Sequence, residues 1–271
     1  MRLLQYESKD GPRAGAIDDD GRVQDLGPAA ALELTPLMTG EIPSGEPGPS
    51  LDQITYLPPL FGSRRVFAVG HNYRAHAAEL ATKVPEWPNF FIRTPESLIG
   101  HDAVLDFPHG YASYDYEGEL AVVIGFGGRA IPAADALSHV LGYTCCMDGS
   151  VREIQAHSLA AGKNFERSGA MGPWIMPASR LPGHPTMELT TAISGIARQE
   201  ASSKDMVFSV ADIIHALSLV TTLLPGDVIS TGTPSRTGVS FDPPRFLQPG
   251  DEITVTVDAV GTLRNRVSEH R

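Results

Sequence analysis

Short apolar runs separated by polar turns recur along most of the chain. After residue 52 these runs have the length and the β-branched and aromatic content of strands. They read RVFAVG, NFFIR, ELAVVIG, VLGYTCCMD, LTTAISG, DVIST and EITVTVD. In the first forty residues the runs RLLQY, RAGAI and RVQDL alternate with turn signals such as DDDG, which predicts a small antiparallel β-module.

Two segments in the middle of this pattern carry helix signals instead. Residues 72–81 begin at Asn72, a residue type that is favoured at helix N-termini. Residues 151–160 follow Ser150, and Glu153 stands three positions later, which is the spacing of a capping box. We predict a helix in each segment.

A third helix is predicted over residues 209–223, where Ser209 and Asp212 repeat the capping-box spacing ahead of an apolar stripe. Strands outnumber helices, and the helices are scattered among them. We therefore predict a β-rich α+β fold, with mixed sheets in a sandwich or roll, rather than a doubly wound parallel sheet.

The stretch GEIPSGEPGPS at residues 40–50 has the Pro/Gly/Ser composition of a linker. It divides the chain into an N-terminal β-module over 1–50 and a main domain over 51–271. A length of 271 residues and an apolar fraction of 42% are enough for a substantial core.

The charge balance narrows the class of partner. The formal net charge is −11, with 21 basic residues and no basic cluster, which argues against nucleic acid and favours small molecules and cations as partners.

No apolar run has the length of a membrane span, and the N-terminus turns polar too soon for a signal peptide, so we expect a cytoplasmic protein. Cys145 and Cys146 are adjacent, a spacing that suits neither a disulfide framework nor a zinc site, and we expect both to be buried on a strand.

The stretch YDYEGELAVVIG places Glu117 and Glu119 on one face of a strand, where their charges repel. A divalent cation such as Mg²⁺ would relieve that repulsion. Asp148 ends the next apolar segment and would add a third oxygen ligand. The alternative is that the glutamates lie on the solvated face of an edge strand and that Asp148 belongs to a turn.

The stretch GHNYRAHAAEL places His76 and Glu79 three positions apart, so that the two side chains can touch on a helix. A carboxylate beside a histidine fixes its tautomer and raises its basicity, as a general base requires. Further along, Arg152 and Lys163 offer positive charge to an anionic substrate or a developing oxyanion. The alternatives are an incidental pair on an exposed helix and ordinary surface cations.

Taken together and in this order, these stretches resemble the fumarylacetoacetate hydrolase family over about three quarters of the chain, from VFAVGHNYRAHAAE to AVGTLRNRV. The resemblance implies a metal-dependent enzyme that uses Mg²⁺ or Mn²⁺, with Ca²⁺ as a further option, and that forms a homodimer. It assigns metal binding to Glu117, Glu119 and Asp148, catalysis to His76, Glu79 and Lys163, and substrate binding to Arg152 and to Thr233 in the TGTP turn.

Departures from the family pattern fall around the pocket. His71 stands where family members often carry Leu or Arg, Arg93 stands in place of a lysine, and Arg236 interrupts a glycine-rich segment. We expect His71 to line the substrate pocket together with His101.

The reaction that the resemblance implies is hydrolysis of a carbon–carbon bond in a small β-diketo or 2-oxo acid, such as an acylpyruvate. Decarboxylation, enol–keto isomerisation and hydratase chemistry would use the same site. A ligand-binding protein that has kept the fold and lost the reaction is the alternative from another class.

Overall fold

We describe the fold from a computed structural model of the chain, which covers residues 1–39, 41, 43–62, 65–79 and 83–269. These residues form nineteen strands, five α-helices and six short 3₁₀-helices. The strands are β1 (Arg2–Tyr6), β2 (Arg13–Ile17), β3 (Val23–Pro28), β4 (Glu46–Pro47), β5 (Tyr56–Leu57), β6 (Val66–Gly70), β7 (Asn89–Arg93), β8 (Leu98–Ile99), β9 (Val104–Leu105), β10 (Tyr114–Asp115), β11 (Gly118–Ile124), β12 (Val140–Met147), β13 (Ser150–Val151), β14 (Gly169–Pro177), β15 (Glu188–Ile193), β16 (Ile196–Ser202), β17 (Val228–Ser230), β18 (Glu252–Val257) and β19 (Gly261–Val267). The α-helices are α1 (Thr35–Met38), α2 (Arg74–Glu79), α3 (Arg152–Gln155), α4 (Leu159–Lys163) and α5 (Val210–Val220). The 3₁₀-helices are Ala29–Ala31, Pro95–Ser97, Ala136–His139, Ala178–Arg180, Ser203–Asp205 and Gly238–Ser240.

The strands form one large sheet and two smaller ones. The large sheet runs β4-β3-β2-β1-β14-β12-β11-β17-β6-β7, with β5 on β1 and β8 on β14. A five-stranded sheet runs β16-β15-β18-β19-β9, and β10 pairs with β13. Every apolar run predicted after residue 52 contributes a strand, and the predicted β-rich α+β class is confirmed.

The three N-terminal runs form the predicted antiparallel strands, because β1 pairs with β2 and β2 with β3. This meander joins the large sheet through β1 and β14, where Leu3 lies opposite Ile175.

The centre of the large sheet is buried on both faces. Along β11, Leu120 and its alternate neighbours pack into one apolar cluster, whereas Ala121 and Val123 pack into another. A strand that is covered on both sides reads as a continuous apolar run, as this one does. Cys145 and Cys146 lie in the neighbouring strand β12 as buried free thiols, as predicted.

The helices agree only in part with the prediction. Helix α5 begins with the capping box of Ser209 and Asp212, which is confirmed. The capping box of Ser150 and Glu153 is wrong, because Glu153 turns away and its carboxylate accepts hydrogen bonds from Ser113 and Ala112. The segment forms the short helix α3 and the beginning of α4, which Ser158 caps, instead of one helix.

Helix α2 confirms the helical prediction for residues 74–79, and residues 80 and 81 lie outside the described part of the chain. Asn72 lies ahead of the helix, where its side chain bonds the backbone of Phe208 and Thr231. Among the described residues, no helix is long and apolar enough to cross a bilayer.

Candidate active site

Three carboxylates meet at one end of the central strand pair. Glu117 directly precedes β11, Glu119 is its second residue, and Asp148 directly follows β12. The strands are antiparallel and in register, and the Asp148 N–H donates to the Glu117 carbonyl at 2.8 Å. All three side chains are buried, and one oxygen from each lies within 4.8 Å of the others. This spacing suits the hard oxygen coordination of a divalent cation.

Basic side chains contact two of these carboxylates. Lys163 Nζ donates to Glu117 Oε2 and to Asp148 Oδ2, both at 2.6 Å. Arg152 Nη2 lies 2.7 Å from Glu117 Oε1, and Arg93 Nη1 donates to Asp148 Oδ1 at 2.5 Å. Each carboxylate is therefore held from two sides by cations, of which Lys163 and Arg93 are buried and Arg152 is partly exposed.

The third carboxylate, Glu119, forms no ion pair with any lysine or arginine of the described chain. Ser230 Oγ and the Gly232 N–H donate to its Oε2 at 2.6 and 2.9 Å. Burial, followed by the negative charges of Asp148 and Glu117, raises its pKa well above the usual range. A bound cation would supply the positive charge that Glu119 lacks, so the donor set fits a divalent metal.

Glu117 and Lys163 remain ionised in spite of their burial. Burial opposes the negative charge of Glu117, but Lys163 and Arg152 outweigh it and lower its pKa to about 2. Burial likewise opposes the positive charge of Lys163, whereas Asp148 and Glu117 raise its pKa. The ammonium is therefore a permanent positive charge beside the carboxylates.

His76 lies on α2, buried, and lines the same cleft. Burial is the main cause of a lowered pKa, so the imidazole is neutral at pH 7. Its Nδ1 lies 3.6 Å from Glu79 Oε2, just beyond hydrogen-bonding distance, and the His71 ring stacks on it at a centroid distance of 6.0 Å. Glu79 instead accepts from the Arg236 N–H, at 3.1 and 2.9 Å to its two oxygens.

The predicted site residues, with one exception, come together around a cleft of about 70 Å³. Its walls include His71, His76, Glu117, Asp148, Arg152, Lys163 and Thr233. Glu119 and Glu79 do not line the cleft themselves. Glu119 lies within 4.8 Å of Glu117 and Asp148, and Glu79 lies 3.6 Å from His76. His101 is not among the residues that line this cleft: its Nδ1 accepts from the Arg264 N–H, and its ring packs edge-on against Tyr56.

Sequence reasoning did not assign three buried polar residues that support the site. Arg93 stood out only as a departure from the family pattern. Asp115 precedes the two glutamates by an even spacing on the same stretch, and this was the one signal for it. No sequence pattern points to Gln199. In the structure its amide donates to Thr233 Oγ1 and to the Pro234 carbonyl, and its Oε1 accepts from the Gly118 N–H.

Comparison with known proteins places this site in a family context. Residues 65–268 match the family model for the C-terminal domain of fumarylacetoacetate (FAA) hydrolase. This match includes every residue of the cleft named above.

Individual relatives carry out different reactions. The chain is 40% identical over 210 residues to oxaloacetate tautomerase YisK of Bacillus subtilis (strain 168), a match that covers 76% of this chain and 70% of that protein. The structure of 5-carboxymethyl-2-hydroxymuconate delta-isomerase from Mycobacterium smegmatis is similar at a TM-score of 0.82 and 32% identity, over 99% of both chains. Fumarylpyruvate hydrolase from Pseudomonas aeruginosa, solved in complex with Mn²⁺ and pyruvate, is similar at a TM-score of 0.69 and 31% identity, over 81% of this chain and 93% of that one.

Proposed function

The chain belongs to the fumarylacetoacetate hydrolase family, and on that premise we propose that it is a metal-dependent enzyme that interconverts the enol and keto forms of a small 2-oxo acid. The observation that carries this proposal is a single small cleft. It brings three buried carboxylates, a buried ammonium and a neutral imidazole together. The 40% identity to an oxaloacetate tautomerase supports tautomerisation as the reaction.

Glu117, Glu119 and Asp148 would hold Mg²⁺ or Mn²⁺. When bound, such a cation supplies a Lewis acid that stabilises negative charge on the 2-oxo oxygen of the substrate. Once the cation keeps Glu119 ionised, these carboxylates and Asp115 carry four negative charges, against three on Lys163, Arg93 and Arg152. A dication makes this cluster net positive, which favours an anionic substrate.

The neutral imidazole of His76 acts as the base. It takes a proton from the carbon next to the keto group, and the electron pair of that C–H bond moves to form the enolate. The fixed charge of Lys163 stabilises the enolate oxygen, which then takes the proton back from the protonated imidazole of His76 to give the enol and the neutral base. The reverse sequence returns the keto acid, so that no bond between carbon atoms breaks.

Hydrolysis of a carbon–carbon bond is the second candidate. The proximity of Glu79 to His76 and the similarity to a fumarylpyruvate hydrolase favour it. In that reaction His76, oriented by Glu79, would take a proton from water, and the resulting hydroxide would attack the distal carbonyl of an acylpyruvate. This requires the 3.6 Å gap between the two side chains to close to a hydrogen bond.

Product analysis by NMR in D₂O separates the candidates. With Mn²⁺ or Mg²⁺ present, oxaloacetate should gain deuterium at C3 faster with the wild type than with His76→Asn under the same metal concentration, which controls for catalysis by the free ion. Two carbon fragments from an acylpyruvate would establish hydrolysis instead. Equal deuterium uptake with both proteins, and no fragments, would contradict both reactions.

A further inference from the structure

A buried carboxylate outside the cleft, Asp115, connects two of its walls. The side chain is fully buried, and its oxygens accept four hydrogen bonds. The donors are Tyr116 N–H at 2.9 Å, Gly238 N–H at 2.6 Å, Val239 N–H at 3.0 Å and Arg152 Nε at 2.8 Å. A carboxylate with this many donors is held in one orientation.

Arg152, which donates to Asp115, also contacts the carboxylate cluster. Arg152 presents its Nε edge to Asp115, and its Nη2 lies 2.7 Å from Glu117 Oε1. Its Nη1 donates to Gln155 Oε1 at 2.7 Å, whereas the contact of Nη2 with Glu117 is an ion pair that lacks hydrogen-bond geometry. One cation is therefore shared by two carboxylates, and only one of them, Glu117, belongs to the candidate metal site.

Gly238 and Val239, which also donate to Asp115, belong to the segment that carries Thr233. The segment that begins at Thr231 carries Thr233 into the cleft and reaches Asp115 at its end. A Cβ on Gly238 would lie 2.4 Å from Asp115 Oδ1, so the approach depends on the absence of a side chain there.

We infer that Asp115 is a positioning residue that holds the Arg152 guanidinium and offsets its positive charge, so that the Glu117 carboxylate remains available to the cation. Without the charge of Asp115, the full positive charge of Arg152 would act on Glu117. A cation arriving at Glu117 would then meet a stronger electrostatic competitor. Asp115 thus acts through Arg152 rather than by touching the metal or the substrate, and this inference rests on the proposed metal-binding role of Glu117.

A double-mutant cycle on metal affinity tests this coupling. Mn²⁺ binding is measured by isothermal titration calorimetry for the wild type, Asp115→Asn, Arg152→Gln and the double variant. Asp115→Asn keeps the shape of the side chain, removes its charge and turns an NH₂ group toward two donors, and we expect about a tenfold weaker affinity for Mn²⁺. In the Arg152→Gln background the same change should alter the affinity less than about twofold, because the competing charge is already absent.

Glu153→Gln is the matched control. Glu153 also supports this stretch, through the backbone of Ala112 and Ser113, but makes no bond to Arg152, so the Mn²⁺ affinity should not change. Should Asp115→Asn not fold, as judged by circular dichroism and melting temperature, Asp115→Ser removes the same charge with a smaller side chain and serves in the same cycle.

An equal loss in both backgrounds, or no loss in either, would overturn the role of Asp115. If the wild type itself bound no Mn²⁺, the proposed function would fail instead, so the two failures are distinguishable.

Discussion

Lys163 Nζ donates to Asp148 Oδ2 at 2.6 Å, and both side chains are buried. The same ammonium contacts Glu117, so one lysine offsets the charge of two of the three candidate metal ligands. The removal of one partner from a buried ion pair leaves the other charge uncompensated, which typically costs about 3–5 kcal/mol.

We therefore expect Lys163→Met to lower the free energy of unfolding by roughly that amount in the absence of metal, or about 10 °C in melting temperature for a chain of this size. Mn²⁺ should raise the melting temperature of the variant more than that of the wild type, because the ion replaces the missing charge. Differential scanning fluorimetry with and without Mn²⁺ measures both effects. The exposed Lys83→Met is the control and should shift neither value. Equal responses of Lys163→Met and the wild type to Mn²⁺ would contradict this account.

Arg93 fixes the other oxygen of Asp148 from inside the core. Its guanidinium also donates to Ser97 Oγ, to Ser168 Oγ and to the Gly149 carbonyl. A lysine keeps the charge but has one nitrogen for this set of acceptors. Arg93→Lys should therefore cost about 1–3 kcal/mol of stability by urea unfolding and should weaken Mn²⁺ binding. The exposed Arg129→Lys serves as the comparison, and equal stability losses in the two variants would rule out the fixing role of Arg93.

His76→Asn tests the base. Removal of a general base typically lowers the rate by about 10²- to 10⁴-fold, whereas the affinity for Mn²⁺ should not change because His76 is not among the three carboxylate ligands. Steady-state kinetics and calorimetry on the same preparation separate the two quantities. The exposed His109→Asn should leave both unchanged. A variant at position 76 with wild-type turnover would remove His76 from the mechanism.

The lowered pKa of His76 determines how stability and kcat/KM depend on pH. An unfolded histidine has a pKa near 6.5, and burial depresses the folded value, so acid protonates the unfolded chain first. The stability that the neutral His76 allows is therefore present above about pH 6.5, and it is lost as the pH falls through the lowered pKa of the folded state.

The rate should follow the same group. We expect kcat/KM to be constant through neutral pH and to decrease only below about pH 6.5, as the base becomes protonated. Mn²⁺ affinity measured over the same pH range separates loss of the base from loss of the metal, and an acid limb centred above pH 6.5 would contradict a buried neutral imidazole.

The sequence alone predicts the carboxylate cluster well for a physical reason. Alternation along a strand brings Glu117 and Glu119 to the same side, and an apolar segment that follows in sequence usually pairs with its predecessor, which delivers Asp148 to the same end. Both rules act over short stretches of sequence, and the three carboxylates lie together in the structure as the rules predict.

What the sequence does not predict depends on contacts between distant segments. Glu153 matches a capping box by spacing, but Ser113, forty positions earlier, takes its carboxylate. Arg93 reaches Asp148 from 55 positions away, and Asp115 reaches Gly238 across 123. Such partners are fixed by the packing of the whole sheet, so no local pattern predicts them.

The central claim is that Glu117, Glu119 and Asp148 bind one divalent cation. Crystals grown with MnCl₂ and measured near the manganese absorption edge test it most directly. We predict a single anomalous peak among the three carboxylates, at about 2.0–2.2 Å from an oxygen of each, as is typical of small dications with oxygen ligands. A map without a peak at that position, from crystals saturated with Mn²⁺, would contradict the account.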